Sequence, residues 1–340
     1  MRRRWAGLVA ALALVATACS GEGGEGTADL GSGGESGGES GGERGGGAGD
    51  TVGTGVPLIT TTAPTTTIPT AGDGAFVTPT GVVLPVVSRE DGRFTVTTPC
   101  SRTVTLTQGA HVPRVAIVLD PGHGGTEPGA VAPGGLKESN VNLAVTRHTR
   151  DALEAAGVPV LLTRTADYHV NLEVRTRLAV TLGAQAFVSI HHNAEPDEAW
   201  PRPGSETYYQ IASPDSKRLA GLIYEEVVRA LSQYQVSWVA DRDAGAKYRQ
   251  GSRGDYYAVL RQPGAIVSAL VELAFISNPA EADLIARPDV QKVEGEAVAR
   301  GIVRYLRGQD PGSGFTEPYP RPTPPGGGGG GGTCIDPALT

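Results

Sequence analysis

The sequence predicts an α/β protein: a single three-layer domain with a mainly parallel sheet flanked by helices, preceded by a small β-hairpin region. Three observations carry this. Between residues 113 and 308, short apolar runs alternate repeatedly with longer amphipathic segments, the pattern of β-α units. One run, AIVSALVELAF, lacks polar alternation and reads as a strand buried on both faces. Aromatic residues make up only 5% of the 340-residue chain, so the core must come from Val, Leu, Ala and Ile.

The elements follow in order. Residues 76–112 hold short alternating Val/Thr/Phe runs around an Asp-Gly turn, a hairpin signal. This region is too small for a core of its own and is expected to pack on the next domain. RVAIVL reads as the first strand of that domain. SNVNLAVTRHTRDALEAAG reads as a helix, with Ser139 as the expected N-cap and Gly157 as the stop. VPVLLT, AFVSI and SETYYQ read as strands, and NLEVRTRLAVTLG and SPDSKRLAGLIYEEVVRALSQ as helices. DVQKVEGEAVARGIVRYLRG closes the domain as a helix. The polar, glycine-containing segment Ser237 to Tyr257 reads as a mobile rim.

The ends differ in kind. Residues 1–18 have a basic start and a short apolar run, and Cys19 follows in ATAC, as in a lipoprotein export signal. Cys19 is then the expected lipidation site, and the membrane a partner through that N-terminal anchor; Ala16 stands where such signals usually have leucine, and the alternative is an ordinary cleaved secretory peptide with Cys19 incidental. Residues 19–75 are Gly/Ser/Glu-rich and then Thr/Pro-rich, a linker that buries nothing. Residues 309–340 form a Pro/Gly-rich tail ending in a segment with Cys334. Once Cys19 is set aside, Cys100 and Cys334 are the two cysteines left, and in an exported protein they are expected to pair. A net charge of −7 with no Lys/Arg block argues against a nucleic-acid partner.

In such domains sites form at the carboxyl ends of strands. VLDPGHGG puts His123 there among Gly122, Gly124 and Gly125. By itself this is a turn, an anion loop or a metal ligand with its neighbours stripped of side chains. SIHHNA puts His191 and His192 at another strand end, where alternation lets only one face a given site. Glu272 lies in the buried run AIVSALVELAF, where a carboxylate without a partner costs several kcal/mol. Glu138, in GGLKES, precedes a helix. His111, His148 and His169 read as structural or exposed. Two histidines, a carboxylate and a spare glutamate make the inventory of a catalytic zinc site.

VLDPGHGG, GGLKESNVNLAV, LLTRTADYHVNLEVRTRLA, AFVSIHHNA and ALVELAFISNPAEADLI, in that order, resemble the zinc-dependent N-acetylmuramoyl-L-alanine amidases of the Amidase 3 family, over roughly residues 113 to 307. The resemblance implies zinc ligands at His123, Glu138 and His191 and a catalytic glutamate at Glu272. It implies hydrolysis of the amide between N-acetylmuramic acid and L-alanine, with peptidoglycan as partner, outside the cytoplasm at the membrane or in the wall. The same inventory would serve a zinc peptidase cutting within the stem peptide, and a non-catalytic wall-binding lipoprotein is the reading from another class. Arg164 and Arg175 also match family positions. His192 stands where the family commonly has a small residue, which adds a candidate substrate contact. Some family members carry an inserted helix over the zinc site. Here only NAEPDEAWPRPG separates His191 from the next strand, so no such autoinhibitory helix is expected.

Overall fold

The computed structural model describes residues 72–195, 198–312 and 333–340. The export signal, Cys19 and most of the first linker lie outside these residues. In chain order the elements are β1 Ala75–Val77, β2 Val83–Glu90, β3 Arg93–Thr97, β4 Thr103–Leu106, β5 Ala110–Val112, β6 Ile117–Pro121, α1 Glu138–Ala155, β7 Val160–Leu162, α2 Leu172–Thr181 and β8 Ala186–Asn193. Then come β9 Glu198–Trp200, β10 Glu206–Tyr209, α3 Pro214–Leu231, β11 Trp238–Ala240, β12 Ala246–Lys247, β13 Gln250–Gly251, β14 Gly254–Asp255, α4 Ala258–Arg261, β15 Val267–Phe275, α5 Pro279–Ile285 and α6 Pro288–Leu306.

The main sheet has the order β12-β10-β15-β8-β6-β7. Its pairs are parallel except β10 with β15. Alternation along each strand sorts the core into two layers. Ile117, Leu119, Val188, Ile190, Val271 and Leu273 face α1, α3, α5 and α6. Val118, Phe187, Leu270 and Tyr208 face α2 and α4. Full burial of each such side chain contributes about 1.5–3 kcal/mol.

The N-terminal region forms a five-stranded sheet, order β4-β3-β2-β1-β5, whose apolar face is shared rather than private. Ala75 and Val83 join the layer of Val118, Leu178 and Phe187, while Phe76, Leu84 and Val96 pack with Tyr168, Val170 and Val174. The folded part therefore begins a little before the expected boundary at 76. Gly74 already donates to the Thr181 carbonyl at 3.0 Å, and Ala75 is fully buried. His111 lies on β5, where Nε2 meets the Asp73 carbonyl at 2.8 Å, a structural role as expected.

Cys100 is bonded to Cys334, their Cα atoms 5.6 Å apart. Asp336 reinforces this attachment by accepting from the Cys100 N–H at 2.8 Å and from Arg102 Nε at 2.7 Å. Leu339 packs against the shared core.

Two local expectations are corrected. Ser139 is not the N-cap of α1. The helix starts at Glu138 with Lys137 as cap residue and no side-chain cap. The first-turn N–H groups of Glu138 and Ser139 donate instead to the Ala130 and Pro128 carbonyls, at 2.9 and 3.0 Å, so no hydroxyl is needed. Within Ser237 to Tyr257, β12 is an edge strand of the main sheet and Lys247 is wholly buried, so that part is framework. Gly157 does end α1, with φ of 77°.

Candidate active site

His123, Glu138 and His191 converge at the carboxyl ends of β6 and β8. One ligand atom from each lies within 4.8 Å of the others. Glu138 sits between the rings: Oε2 is 3.2 Å from His123 Nε2, and Oε1 is 3.0 Å from His191 Nδ1. The rings stand nearly perpendicular, centroids 4.9 Å apart. Backbone N–H groups of Ala130 and His192 and the amide of Asn142 also donate to Glu138. Burial by itself would raise its pKa, but the two imidazoles outweigh that and hold it well below the usual carboxylate range. Burial lowers the pKa of His191, favouring the neutral ring that can act as a ligand.

The glycines now have a physical reason. A Cβ on Gly122 would lie 2.1 to 2.5 Å from the ring atoms of His191, and one on Gly129 would lie 2.4 Å from Glu138 Oε2. Any side chain at either position would occupy the space where the three donors meet.

His123 itself has φ of 60°, a left-handed conformation that costs a residue with a Cβ about 1–2 kcal/mol. Two buried guanidinium groups impose it. Arg164 donates to the Pro121, Gly122 and Ser139 carbonyls at 2.7 to 2.9 Å. Arg175 donates to the Pro121 and His123 carbonyls at 2.8 Å. These two arginines therefore shape the loop from beneath. Burial and the neighbouring Arg175 charge draw the pKa of Arg164 down to about 10. Asp120 is buried as well. It accepts from Thr163, Ser189 and Arg175 rather than from a site histidine. Burial opposes its ionisation, but Arg175 and the two hydroxyls overcome this and lower its pKa.

Glu272 is brought to the same end of the sheet by strand pairing. On β15 it is the register partner of His191 in β8 and of Glu206 in β10. The β15–β8 register shifts just after it, an irregularity of the kind found beside active sites. Its Oε2 is buried without a hydrogen bond. Desolvation first, then the negative charges of Glu138 and Glu206, push its pKa well above the usual range; Lys247 opposes them. Lys247 Nζ lies 2.9 Å from both Glu206 and Asp243.

His192 does not face the site. Its side chain is wholly buried and directed at Asn142 and Glu294, which removes it as a candidate substrate contact. His169, read from sequence as structural or exposed, lines a cleft of about 830 Å³ together with His123, His191, Glu127, Leu172 and Gln262. Sequence reasoning missed the part played by α4, which supplies Val259 to that cleft with Gln262 just after it; four residues give too short a period to read.

A model of the N-acetylmuramoyl-L-alanine amidase family, Amidase 3, matches residues 117–304. The amidase AmiC of Neisseria meningitidis serogroup B is 31% identical over 241 residues, which is 58% of this chain and 54% of AmiC. The germination-specific N-acetylmuramoyl-L-alanine amidase of Bacillus subtilis is 32% identical over 204 residues, 56% of this chain and 79% of that protein. Among solved structures, Cwp6 from Clostridium difficile aligns with a TM-score of 0.50 at 30% identity, over 57% of this chain and 29% of Cwp6. The chain thus spans about half the length of the Neisseria relative and less than a third of Cwp6.

Proposed function

Because this chain belongs to the N-acetylmuramoyl-L-alanine amidase family, we propose that it hydrolyses the amide joining N-acetylmuramic acid to the L-alanine of the stem peptide in peptidoglycan. His123, Glu138 and His191 hold a zinc ion in this reading. The donor set fits that ion: two imidazoles and one carboxylate leave a coordination position open. When bound, zinc would supply Lewis acidity, polarising a carbonyl and lowering the pKa of water far below its bulk value, toward about 7.

The observation that carries the proposal is the unpaired Oε2 of Glu272 at the same end of the sheet as this donor cluster. A buried carboxylate oxygen without a hydrogen bond is costly unless it has work to do. Glu272 accepts a proton from the attacking water and delivers it to the departing alanine nitrogen. Its raised proton affinity suits the second half of that task, and a nearby cation favours the ionised form needed for the first. Arg164 and Arg175 keep His123 in place from behind and take no part in the proton transfers.

Digestion of purified peptidoglycan by the zinc-loaded full chain tests the reading. New L-alanine amino termini with intact sugars are expected; cuts within the peptide overturn it in favour of a peptidase. We place the enzyme outside the cytoplasm, held at the membrane by lipid on Cys19. Among the described residues no helix is long and apolar enough to cross a membrane. Cys19→Ser is expected to release the protein from membranes or block its processing, and unchanged attachment overturns the anchor.

A further inference from the structure

His192, buried beside the site, is part of a polar chain. Its Nδ1 is 2.8 Å from Asn142 Oδ1. The other end of that amide, Nδ2, donates to Glu138 Oε1 at 3.1 Å and to the Gly122 carbonyl at 3.3 Å. On its far side, His192 Nε2 lies 3.5 Å from Glu294 Oε1, both side chains at 0% exposure. Neither Glu294 oxygen has a hydrogen bond among the described residues, and this imidazole is its ion-pair partner there. The contact depends on close helix packing. A Cβ on Gly295, the next residue of α6, would lie 2.6 Å from the Val145 carbonyl of α1.

We infer that His192 and Glu294 are positioning residues for Glu138, acting through Asn142 to fix the direction of one carboxylate oxygen of the site. The inference rests on the proposed ligand role of Glu138.

The polarity of the hydrogen bonds carries it. Glu138 Oε1 and the Gly122 carbonyl are both acceptors, so Asn142 must present its NH₂ to them. An amide turned the other way would set oxygen against two oxygens. Oδ1 then faces His192, and Nδ1 must carry a proton. Glu294, 3.5 Å from Nε2, supports this in the two arrangements in which the pair holds a shared proton. An imidazolium beside a carboxylate carries N–H at Nδ1, and so does a neutral imidazole that accepts at Nε2 from a carboxylic acid. A neutral ring protonated only at Nε2 would favour the wrong amide orientation. The partner that orients a ligand is commonly worth 10–100-fold in metal affinity.

Zinc affinity, measured by chelator competition on the full chain, tests this. Glu294→Gln can still donate an N–H to Nε2 and is expected to keep affinity within a few-fold. Glu294→Leu removes the partner and is expected to lose about tenfold or more; because it leaves the buried His192 ring without that partner, its melting temperature is expected to fall as well, and affinity is read on the folded protein. If the leucine variant fails to fold, Glu294→Met removes the same partner with a side chain that adapts to the gap. Wild-type affinity in the leucine or methionine variant overturns the inference, as does equal loss in the glutamine and leucine variants, which marks a packing role. A wild-type chain that binds no zinc overturns the metal centre itself, and this inference with it.

Discussion

Glu138 and Glu272 occupy the same end of one sheet under opposite conditions. Glu138 is surrounded by donors: two imidazoles, the Asn142 amide and two backbone N–H groups. Glu272 has an oxygen with none, and two further carboxylates raise its proton affinity. The difference teaches that a carboxylate's task follows from what the fold gives or denies it. A fully satisfied group stays charged and fixed, as a ligand must. A deprived group holds its proton loosely enough in one state and tightly enough in another to carry it.

The comparison breaks most visibly by exchange of roles. Glu272→Gln is expected to keep zinc at wild-type stoichiometry while activity falls by roughly 10²-fold or more. His191→Ala is expected to lose zinc and activity together, because a three-ligand site cannot spare one. Metal analysis beside a turnover assay separates the two. Equal zinc loss in both variants would make Glu272 a ligand and end the distinction.

Arg175→Leu probes what holds the satisfied side in place. It leaves buried Asp120 without its cation, a loss of about 3–5 kcal/mol in stability, measurable by denaturant unfolding. It also frees the His123 carbonyl, so zinc affinity is expected to fall in the same variant. An unchanged unfolding midpoint would show that the loop holds its shape alone.

Glu281 is an intermediate case that sharpens the scale. It is fully buried and accepts from the N–H groups of Phe275 and Val239. Burial outweighs those bonds and raises its pKa from 4.5 to about 7. The folded state therefore binds this proton more tightly than the unfolded one. The resulting stability is fully present below about pH 4.5 and is lost as pH rises through about 7. Its full extent is on the order of 3 kcal/mol. Wild type is expected to weaken relative to Glu281→Gln across this window; parallel stability curves would reject the assignment.

Much of this architecture was legible in the chain. The β-α alternation reads directly into the layers, and Gly157 into a left-handed helix stop. His123, Glu138, His191 and Glu272 were readable as a set because strand ends gather residues distant in sequence. The directions of side chains were not. Ser139 looked like a cap because local sequence cannot reveal that the Ala130 and Pro128 carbonyls already serve the helix. His192 looked available to substrate because only the packing of α6 on α1 brings Glu294 to meet it. Arg164 and Arg175 were visible as residues, but their work is done on carbonyl oxygens, which leave no trace in a sequence. β12 has only two residues, so no periodicity marks it as a sheet edge.

The shared core of the small sheet decides where this enzyme can be cut. Trimming to residues 113–307, the span of the family resemblance, would uncover Val118, Leu178 and Phe187 on one side and Tyr168, Val170 and Val174 on the other. The second group lies in the stretch that leads into Arg175, so the damage would reach the His123 loop. Removing the last eight residues would strip Asp336 from Arg102 and unseat Leu339. A soluble fragment for biochemistry should therefore begin near residue 72 and keep the chain through Leu339, with the Cys100–Cys334 bond formed before purification.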